Sequence, residues 1–194
     1  MPESYTHMPF ELVNTELPDV KLVQPKLFHD DRGYFTETYR NSDFKKIGIE
    51  RDFKQDNQSF SLKGTLRGLH FQNPPYAQGK LVRVVKGSIL DVGVDIRHDS
   101  PTFGKYVMRE LSEDNHLMLW VPEGFAHGFL ALQDSIVLYK ATSEYNRESE
   151  GGFIWNDESV NIKWPDINKI ISEKDFQFPD LAHINSKFHY GANL

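Results

Sequence analysis

Short strand-like runs separated by turn signals fill most of this chain, and this pattern restricts the fold more than any other feature of the sequence. Residues 88–97 are the clearest example, because apolar side chains alternate there with polar or small ones in the two-residue period of a strand. Turns such as Asp-Asp-Arg-Gly at 30–33 recur at a spacing of roughly 8–12 residues, and there is no regular strand–helix alternation. The pattern therefore predicts an all-β sandwich or barrel.

The same runs predict individual elements. We expect strands over residues 20–28, 34–39, 53–62, 65–72, 81–85, 88–97, 105–111, 117–121, 125–132 and 136–142. Pro25, which lacks an N–H, places the first of these strands at a sheet edge. The Pro-Glu-Gly turn at 122–124 predicts that the strands beside it form a hairpin. Short helices are expected between Asn41 and Gly48 and over 167–174.

Length and composition limit the size of the fold and its partners. The 194 residues fit one domain spanning 1–194, with residues 1–10 and 180–194 as peripheral tails. The net charge of −6 argues against a general nucleic-acid binder, and the lack of cysteine excludes disulfides and thiolate metal sites. The first residues do not resemble a secretory signal, and no apolar run approaches the ~20 residues of a membrane helix. We therefore expect a soluble, cytoplasmic protein with no membrane contact.

His70 and Lys80 are the first candidates for chemistry. His70 follows Gly68 by two residues on a predicted strand, and a glycine there leaves room beside the imidazole. Histidine is the usual general base, although a hydrogen-bonded core histidine would explain this position equally well. Lys80 begins the next strand, and its ammonium would come near His70 if the two strands pair across the loop between them.

His127 and Tyr139 are the second pair of candidates. Alternation places His127 on the same strand face as Phe125 and Phe129, where a histidine is either a satisfied core residue or part of a pocket wall. Tyr139 lies on the following strand, where a structural role is the commoner one. Their positions alone leave both readings open.

A metal site is not expected. None of the histidines forms the His-x-His pair of a metal-binding cupin, since Gln72 stands where the second histidine would be. Tyr76 and Ala77 occupy the region where a glutamate ligand would follow, and Lys80 would repel a cation. Phosphate-binding glycine motifs and the Gly-x-Ser-x-Gly motif of α/β-hydrolases are also absent from the sequence.

An ordered set of motifs resembles one known family. The longest are Leu-Arg-Gly-Leu-His-Phe-Gln at 66–72 and Pro-Glu-Gly-Phe-Ala-His-Gly-Phe at 122–129. The others lie at residues 31–37, 55–57, 78–80, 91–97, 100–104, 139–140 and 172–175. Together, from about residue 20 to 175, they resemble the dTDP-4-dehydrorhamnose 3,5-epimerase family, a branch of the cupins.

This resemblance implies a cupin jelly roll that acts as a homodimer without metal or organic cofactor. It implies epimerisation of dTDP-4-dehydro-6-deoxy-D-glucose to dTDP-4-dehydro-L-rhamnose, on the path to dTDP-L-rhamnose. By the family pattern His70 is the base, Asp175 its orienting carboxylate, Tyr139 the acid on the opposite face of the sugar, and Lys80 the cation at the C4 oxygen. The substrate-binding positions, some from the neighbouring subunit, would be Arg32, Glu37, Gln55, Asn57, Arg67, His127, Glu150 and Lys174.

Two questions stay open at the level of sequence. Arg67 and His70 are three residues apart, so a regular strand would point them to opposite faces. Both can serve one substrate only through a β-bulge, or if Arg67 serves the site of a second subunit. The same residues would also suit an epimerase acting at C3 or C5 alone, a ketoisomerase on a related nucleotide sugar, or a sugar-nucleotide binding cupin without activity.

Overall fold

The computed structural model describes residues 9–192, and its framework is two largely antiparallel β-sheets. In spatial order, the first sheet contains β1 (Phe10–Val13), β2 (Lys21–Pro25), β10 (Met118–Val121), β7 (Lys80–Lys86), β12 (Ser135–Ala141) and β5 (Gln55–Ser61). The second contains β13 (Glu150–Gly152), β6 (Thr65–Gln72), β11 (Phe125–Ala131), β8 (Ser88–Asp95) and β9 (Tyr106–Ser112), with β14 (Ile170–Ile171) in parallel beside β6. The all-β prediction is confirmed.

The remaining elements are short. A separate hairpin is formed by β3 (Leu27–Asp30) and β4 (Gly33–Thr36). The helices are α1 (Asn41–Lys46) and α2 (Glu173–Phe176), together with single 3₁₀ turns at Arg147–Ser149 and Leu181–His183. Within residues 9–192, no helix has the length and apolar character needed to cross a membrane.

The space between the two sheets holds the main core. Alternate residues of the central strands point into it, because side chains on a strand alternate between its two faces. The apolar part of this core is built from both sheets by Leu22, Val82, Val84, Ile89, Leu111, Leu119, Phe125, Phe129 and Val137. Polar side chains replace apolar ones on the same inward faces where β7 begins, and Lys80, Asp91 and His127 are all buried there.

The outer face of the second sheet is also covered. The chain after β13 packs on the outer face of the second sheet, where Val92 and Val94 contact a cluster that includes Leu181 and Phe188. The segment 180–192, for which the sequence predicts a peripheral tail, thus contributes two buried side chains, with Phe188 only 1% exposed. Of the predicted N-terminal tail, residues 1–8 lie outside the described residues, whereas Phe10 begins β1 and is buried.

Two predictions about strand placement are wrong. The strands β10 and β11 do not form a hairpin, because they belong to opposite sheets and the turn at 122–124 carries the chain from one sheet to the other. The strand β2 is not at an edge, since it lies between β1 and β10. Pro25 is tolerated because it is the last residue of β2 and lies beyond the part that pairs with β10.

The predicted helix over 167–174 is also wrong. Ile170 and Ile171 instead form β14, and α2 begins only at Glu173. The reason is local, because the Ser172 hydroxyl accepts a hydrogen bond from the Asp175 N–H and so caps α2 at that point. This late start places Asp175 in the first turn of α2, beside β6.

Candidate active site

A β-bulge in β6 brings Arg67 and His70 to the same face. His70 pairs with His127 of β11, and Arg67 pairs with Phe129, so three steps along β6 match two along β11. Gly68 lies in this irregularity with φ +125° and a cis peptide bond to the next residue. The side chains of Arg67 and His70 line a cavity of about 530 Å³ that lies beside the beginning of β6. The bulge is one of the two arrangements that the sequence left open for Arg67.

Asp175 fixes the imidazole of His70. Its Oδ1 lies 2.7 Å from His70 Nε2, and its Oδ2 accepts the Gly68 N–H at 3.1 Å. Although burial opposes the charged form, these hydrogen bonds, with that of His70 the stronger, hold the pKa of Asp175 below its usual value. An ionised carboxylate can only accept hydrogen bonds, so in the neutral imidazole Nε2 carries the proton and Nδ1 carries the lone pair.

A second His–Asp pair lies next to the first. His127, the cross-strand neighbour of His70, has its Nε2 2.7 Å from Oδ1 of Asp91. Asp91 is fully buried, and within the described part of the chain its Oδ2 has no hydrogen-bond partner. Burial raises the pKa of Asp91, and the nearby His127 and Lys80 oppose this rise. The sequence motif contained Asp91 but gave it no role.

The position of Asp91 could have been noticed in the sequence. It stands on the polar face of the alternating run 88–97, which sequence analysis alone would assign to solvent in a one-sided sheet. In the structure this polar face points between the sheets, and the apolar face with Val92 and Val94 packs against the C-terminal part of the chain. A buried carboxylate needs a partner, and His127 supplies it.

Lys80 reaches the same interior from the opposite sheet. Because β6 and β7 belong to different sheets, His70 and Lys80 do not pair across a loop, as the sequence suggested, but point inward from opposite sides. Lys80 is 7% exposed. Burial lowers the pKa of Lys80 to about 8, while the negative charges of Asp91, Glu150 and Glu123 oppose this change.

Tyr139 lies on the inward face of β12. Its cross-strand neighbours are Asn57 on β5 and Val82 on β7, and its ring centroid is 6.5 Å from that of His127. Burial raises the pKa of Tyr139, with the positive charge of Arg67 opposing the rise. The phenol therefore keeps its proton at neutral pH and can donate it. On β5, Gln55 Nε2 donates to Asn57 Oδ1 at 2.9 Å.

Glu150, Lys174 and Tyr145 form the rim of the site. Glu150 pairs with Gln72 at the end of β6 and accepts hydrogen bonds from Lys174 Nζ at 2.6 Å and from the Tyr145 hydroxyl at 3.1 Å. The Tyr145 N–H donates to Gln55 Oε1 at 2.9 Å, so this tyrosine links both sheets. No motif in the sequence points to Tyr145, whose side chain is exposed and offers a flat surface for stacking.

Arg32 and Glu37 are the two predicted binding residues that this chain does not bring to the site. Arg32 lies at the turn of the β3–β4 hairpin, its side chain 90% exposed and paired with Asp30. Glu37 follows the hairpin and forms an ion pair with Arg40. Over residues 9–192, no group of three or more acidic or histidine side chains is arranged to hold a metal ion.

Comparison with known proteins identifies the family. Residues 14–183 match the family model described as dTDP-4-dehydrorhamnose 3,5-epimerase. The chain is 51% identical over 166 residues to the dTDP-4-dehydrorhamnose 3,5-epimerase of Shigella flexneri, which covers 84% of this chain and 92% of that relative.

Solved structures agree with this match. The dTDP-4-dehydrorhamnose 3,5-epimerase of Sulfolobus tokodaii superposes with a TM-score of 0.86 at 49% identity, over 92% of this chain and 99% of that one. The dTDP-6-deoxy-D-glucose-3,5-epimerase of Legionella pneumophila was solved with dTDP-4-keto-L-rhamnose. It superposes with a TM-score of 0.87 at 41% identity, over 90% of this chain and 94% of that one. The two-sheet architecture is thus the predicted cupin jelly roll, and the chain belongs to the dTDP-4-dehydrorhamnose 3,5-epimerase family.

Proposed function

We propose that this protein is an isomerase that epimerises dTDP-4-dehydro-6-deoxy-D-glucose at C3 and C5, giving dTDP-4-dehydro-L-rhamnose for dTDP-L-rhamnose biosynthesis. Membership of the family supports the reaction. The observation that carries the proposal is that a candidate base, a candidate acid and a cation all face the space between the two sheets. His70 comes from the second sheet and is held by Asp175 of α2, whereas Tyr139 and Lys80 come from the first sheet.

His70 and Asp175 supply the base. The C4 ketone acidifies the C–H bonds at C3 and C5, and Nδ1 of His70 takes one of these protons. The two electrons of the broken C–H bond form the C–C double bond of an enolate, whose negative charge lies on O4. The ionised Asp175 stabilises the imidazolium that forms, in the role that a carboxylate plays beside a catalytic histidine.

Tyr139 and Lys80 complete the reaction. Inversion requires the new proton to arrive on the face opposite His70, and the Tyr139 hydroxyl donates it as the enolate collapses to the ketone. Solvent then returns a proton to the phenolate, and His70 releases its own proton to solvent. The Lys80 ammonium faces the charge that develops on O4, a contribution on the order of 3 kcal/mol for one such donor in a buried site.

Binding of the nucleotide uses the rim. The diphosphate requires cations, and Arg67 and Lys174 lie beside the cavity that contains His70. The exposed ring of Tyr145 offers a surface on which thymine can stack, and Gln55, Asn57 and His127 offer hydrogen bonds to the sugar and base.

We also propose that the protein acts as a homodimer with shared sites. The β3–β4 hairpin carries Arg32 away from His70 of its own protomer and exposes Tyr34 and Phe35, which are 55% and 62% accessible. Apolar side chains near the cavity, Phe60 and Leu62, are similarly exposed. A hairpin of a second copy on this surface would bury both sets of side chains and bring a cation to the diphosphate.

A product assay with matched variants tests the proposal. We expect the wild-type protein to convert the 4-keto sugar nucleotide into its C3, C5 epimer, as followed by NMR, and His70→Asn to abolish conversion. The control is His183→Asn, because His183 forms a His–Asp pair with Asp180 at the surface, with 75% and 52% side-chain exposure. If His70→Asn turns over as fast as the control, His70 is not the base. If the wild-type protein does not convert the substrate, the enzyme reading fails and a binding cupin remains.

A further inference from the structure

Phe178 is a second close neighbour of the His70 imidazole. The two ring centroids are 5.7 Å apart and the ring planes meet at 70°, the edge-to-face geometry that aromatic pairs prefer. The His70 side chain is 31% exposed, so the imidazole is bordered by solvent as well as by Asp175. From this contact we propose that Phe178 is a positioning residue for the base, an inference that rests on the proposed function.

The Phe178 ring is itself held in place by backbone. A Cβ on Gly152 would lie 2.6 Å from two atoms of this ring, so the ring lies directly on the glycine. Gly152 is the residue of β13 that pairs with His70. Pro179, the residue after Phe178, is also fixed, because its carbonyl accepts a hydrogen bond from the Ile154 N–H at 2.8 Å. Phe178 therefore packs between the β13 backbone and the imidazole.

One short segment thus supplies two different contacts to the base. Asp175 fixes Nε2 of His70 by a hydrogen bond, which defines the distance but leaves the ring free to tilt about that bond. Phe178, three residues later, contacts the ring itself. A hydrogen bond and an aromatic contact together limit both the position and the tilt of the imidazole, so that Nδ1 keeps its direction toward the substrate carbon.

Truncation of the ring tests this role. We expect Phe178→Ala to lower kcat on the order of tenfold to a hundredfold with little change in KM, since the base is misdirected while the binding residues stay in place. Phe178→Leu keeps apolar volume without an aromatic edge and should fall between wild type and Phe178→Ala. The control is Phe176→Ala on the same segment, because Phe176 is 62% exposed, and kcat should stay at the wild-type value.

A spectroscopic measurement separates positioning from general destabilisation. The ring protons of His70, identified by their loss in His70→Asn, should shift in the NMR spectrum of Phe178→Leu because the neighbouring ring current is gone, and they should not shift in Phe176→Ala. The proposal is overturned if these resonances stay in place and kcat is retained. It is also overturned if kcat falls only in proportion to the folded fraction measured by thermal unfolding.

These measurements also separate a failure of the proposed function from a failure of the role proposed for Phe178. If the wild-type protein does not convert the substrate, the proposed function fails. A resonance shift in Phe178→Leu then still supports the packing of Phe178 on His70, whereas unchanged resonances overturn it.

Discussion

Asp175 and Lys80 hold opposite charges at the two places where the proposed reaction needs them. Asp175 accepts from His70 and from the Gly68 N–H, so its carboxylate is stabilised although it is buried. Lys80 lies near three carboxylates, of which Asp91 is fully buried and has an unpartnered oxygen among the described residues. These carboxylates favour the ammonium of a lysine that burial would otherwise neutralise.

Replacing the orienting carboxylate should remove most of the activity. In Asp175→Asn the side chain keeps its shape, but its amide can donate to Nε2 and so favour the tautomer with the lone pair pointing away from the substrate. We expect kcat to fall on the order of a hundredfold or more, with a smaller effect on KM, as measured by steady-state kinetics. Asp180→Asn, at the surface His–Asp pair, is the control and should keep wild-type kcat. Equal kcat in both variants would contradict the assigned role of Asp175.

Lys80 should give the reaction an alkaline limit. Its pKa is about 8, below the usual value, so the ammonium predominates at pH 7 and is lost as the pH rises through about 8. We expect kcat to decline over this range in the wild type. In Lys80→Met, kcat should be lower by roughly 10²–10³-fold and should not decline further there. Lys86→Met, at an exposed position on the same strand, should retain the wild-type profile, and a decline that persists in Lys80→Met would exclude Lys80 as its source.

Tyr139 should be needed for inversion but not for proton removal. In Tyr139→Phe, His70 can still remove the C5 proton and return one to the same face, so exchange with solvent at C5 continues without a new configuration. NMR of the substrate recovered from D₂O measures both outcomes. Tyr190→Phe, at an exposed tyrosine, is the control. Normal inversion by Tyr139→Phe would assign the acid to another group.

At the scale of elements, the bulge in β6 decides which side chains share the site. The sequence predicts the bounds of β6 correctly and shows that Arg67 and His70 conflict with a regular strand. It does not locate the irregularity, because the bulge depends on the register with β11, which comes from a distant part of the chain. The resemblance to the family indicated that both residues act together, whereas the strand pattern did not.

Gly68→Ala should disturb this bulge. At φ +125° a side chain is strained, and a Cβ would lie 2.7 Å from the Gly128 Cα across the strand pair. The control is Gly33→Ala, because Gly33 has φ +133° but no atom within 4 Å of the added carbon. Backbone strain of about 1–3 kcal/mol is common to both variants. Urea unfolding should show a larger loss for Gly68→Ala, and equal losses would mean that the close approach to Gly128 does not matter.

The turn signals in the sequence do not predict whether the two strands beside a turn pair with each other. A Pro-Glu-Gly turn between two strands looks the same whether the strands pair or cross from one sheet to the other, and here they cross. The alternation in 88–97 likewise fixes two faces without saying which one points inward. In a fold whose outer sheet face is covered by the C-terminal segment, both faces of β8 are buried, and the polar one lines the site.

At the scale of the whole molecule, the site depends on residues far apart in the chain. His70 and Asp175 are separated by 105 positions, and only the return of the C-terminal segment along β6 brings them together. Local periodicity carries no information about such a contact, so this partner could be predicted only through the family motif at 172–175. Residue Phe178, a little further on, contacts His70, and Leu181 and Phe188 of the predicted peripheral tail are buried in a hydrophobic cluster.

Subunit mixing tests the proposed sharing of sites. We expect Arg32→Ala to raise KM through the loss of a diphosphate contact, and His70→Asn to be inactive. In a mixed dimer, one site combines an intact His70 with Arg32 of the other chain, so co-expression of the two variants should restore activity with wild-type KM. Co-expression of His70→Asn with Asp175→Asn is the control and should restore none, because both residues belong to the same site. No recovery in the first pair would contradict a hairpin that crosses between subunits.

Deuterium exchange tests the central claim most directly. The 4-keto sugar nucleotide is incubated with the wild-type protein in D₂O, and the carbons that acquire deuterium are identified by NMR and mass spectrometry. If proton removal by His70 next to the C4 ketone is the function of this site, deuterium enters at both C3 and C5 and both centres invert. Entry at one carbon alone would replace the proposal with a mono-epimerase, and absence of deuterium at both carbons would contradict the account.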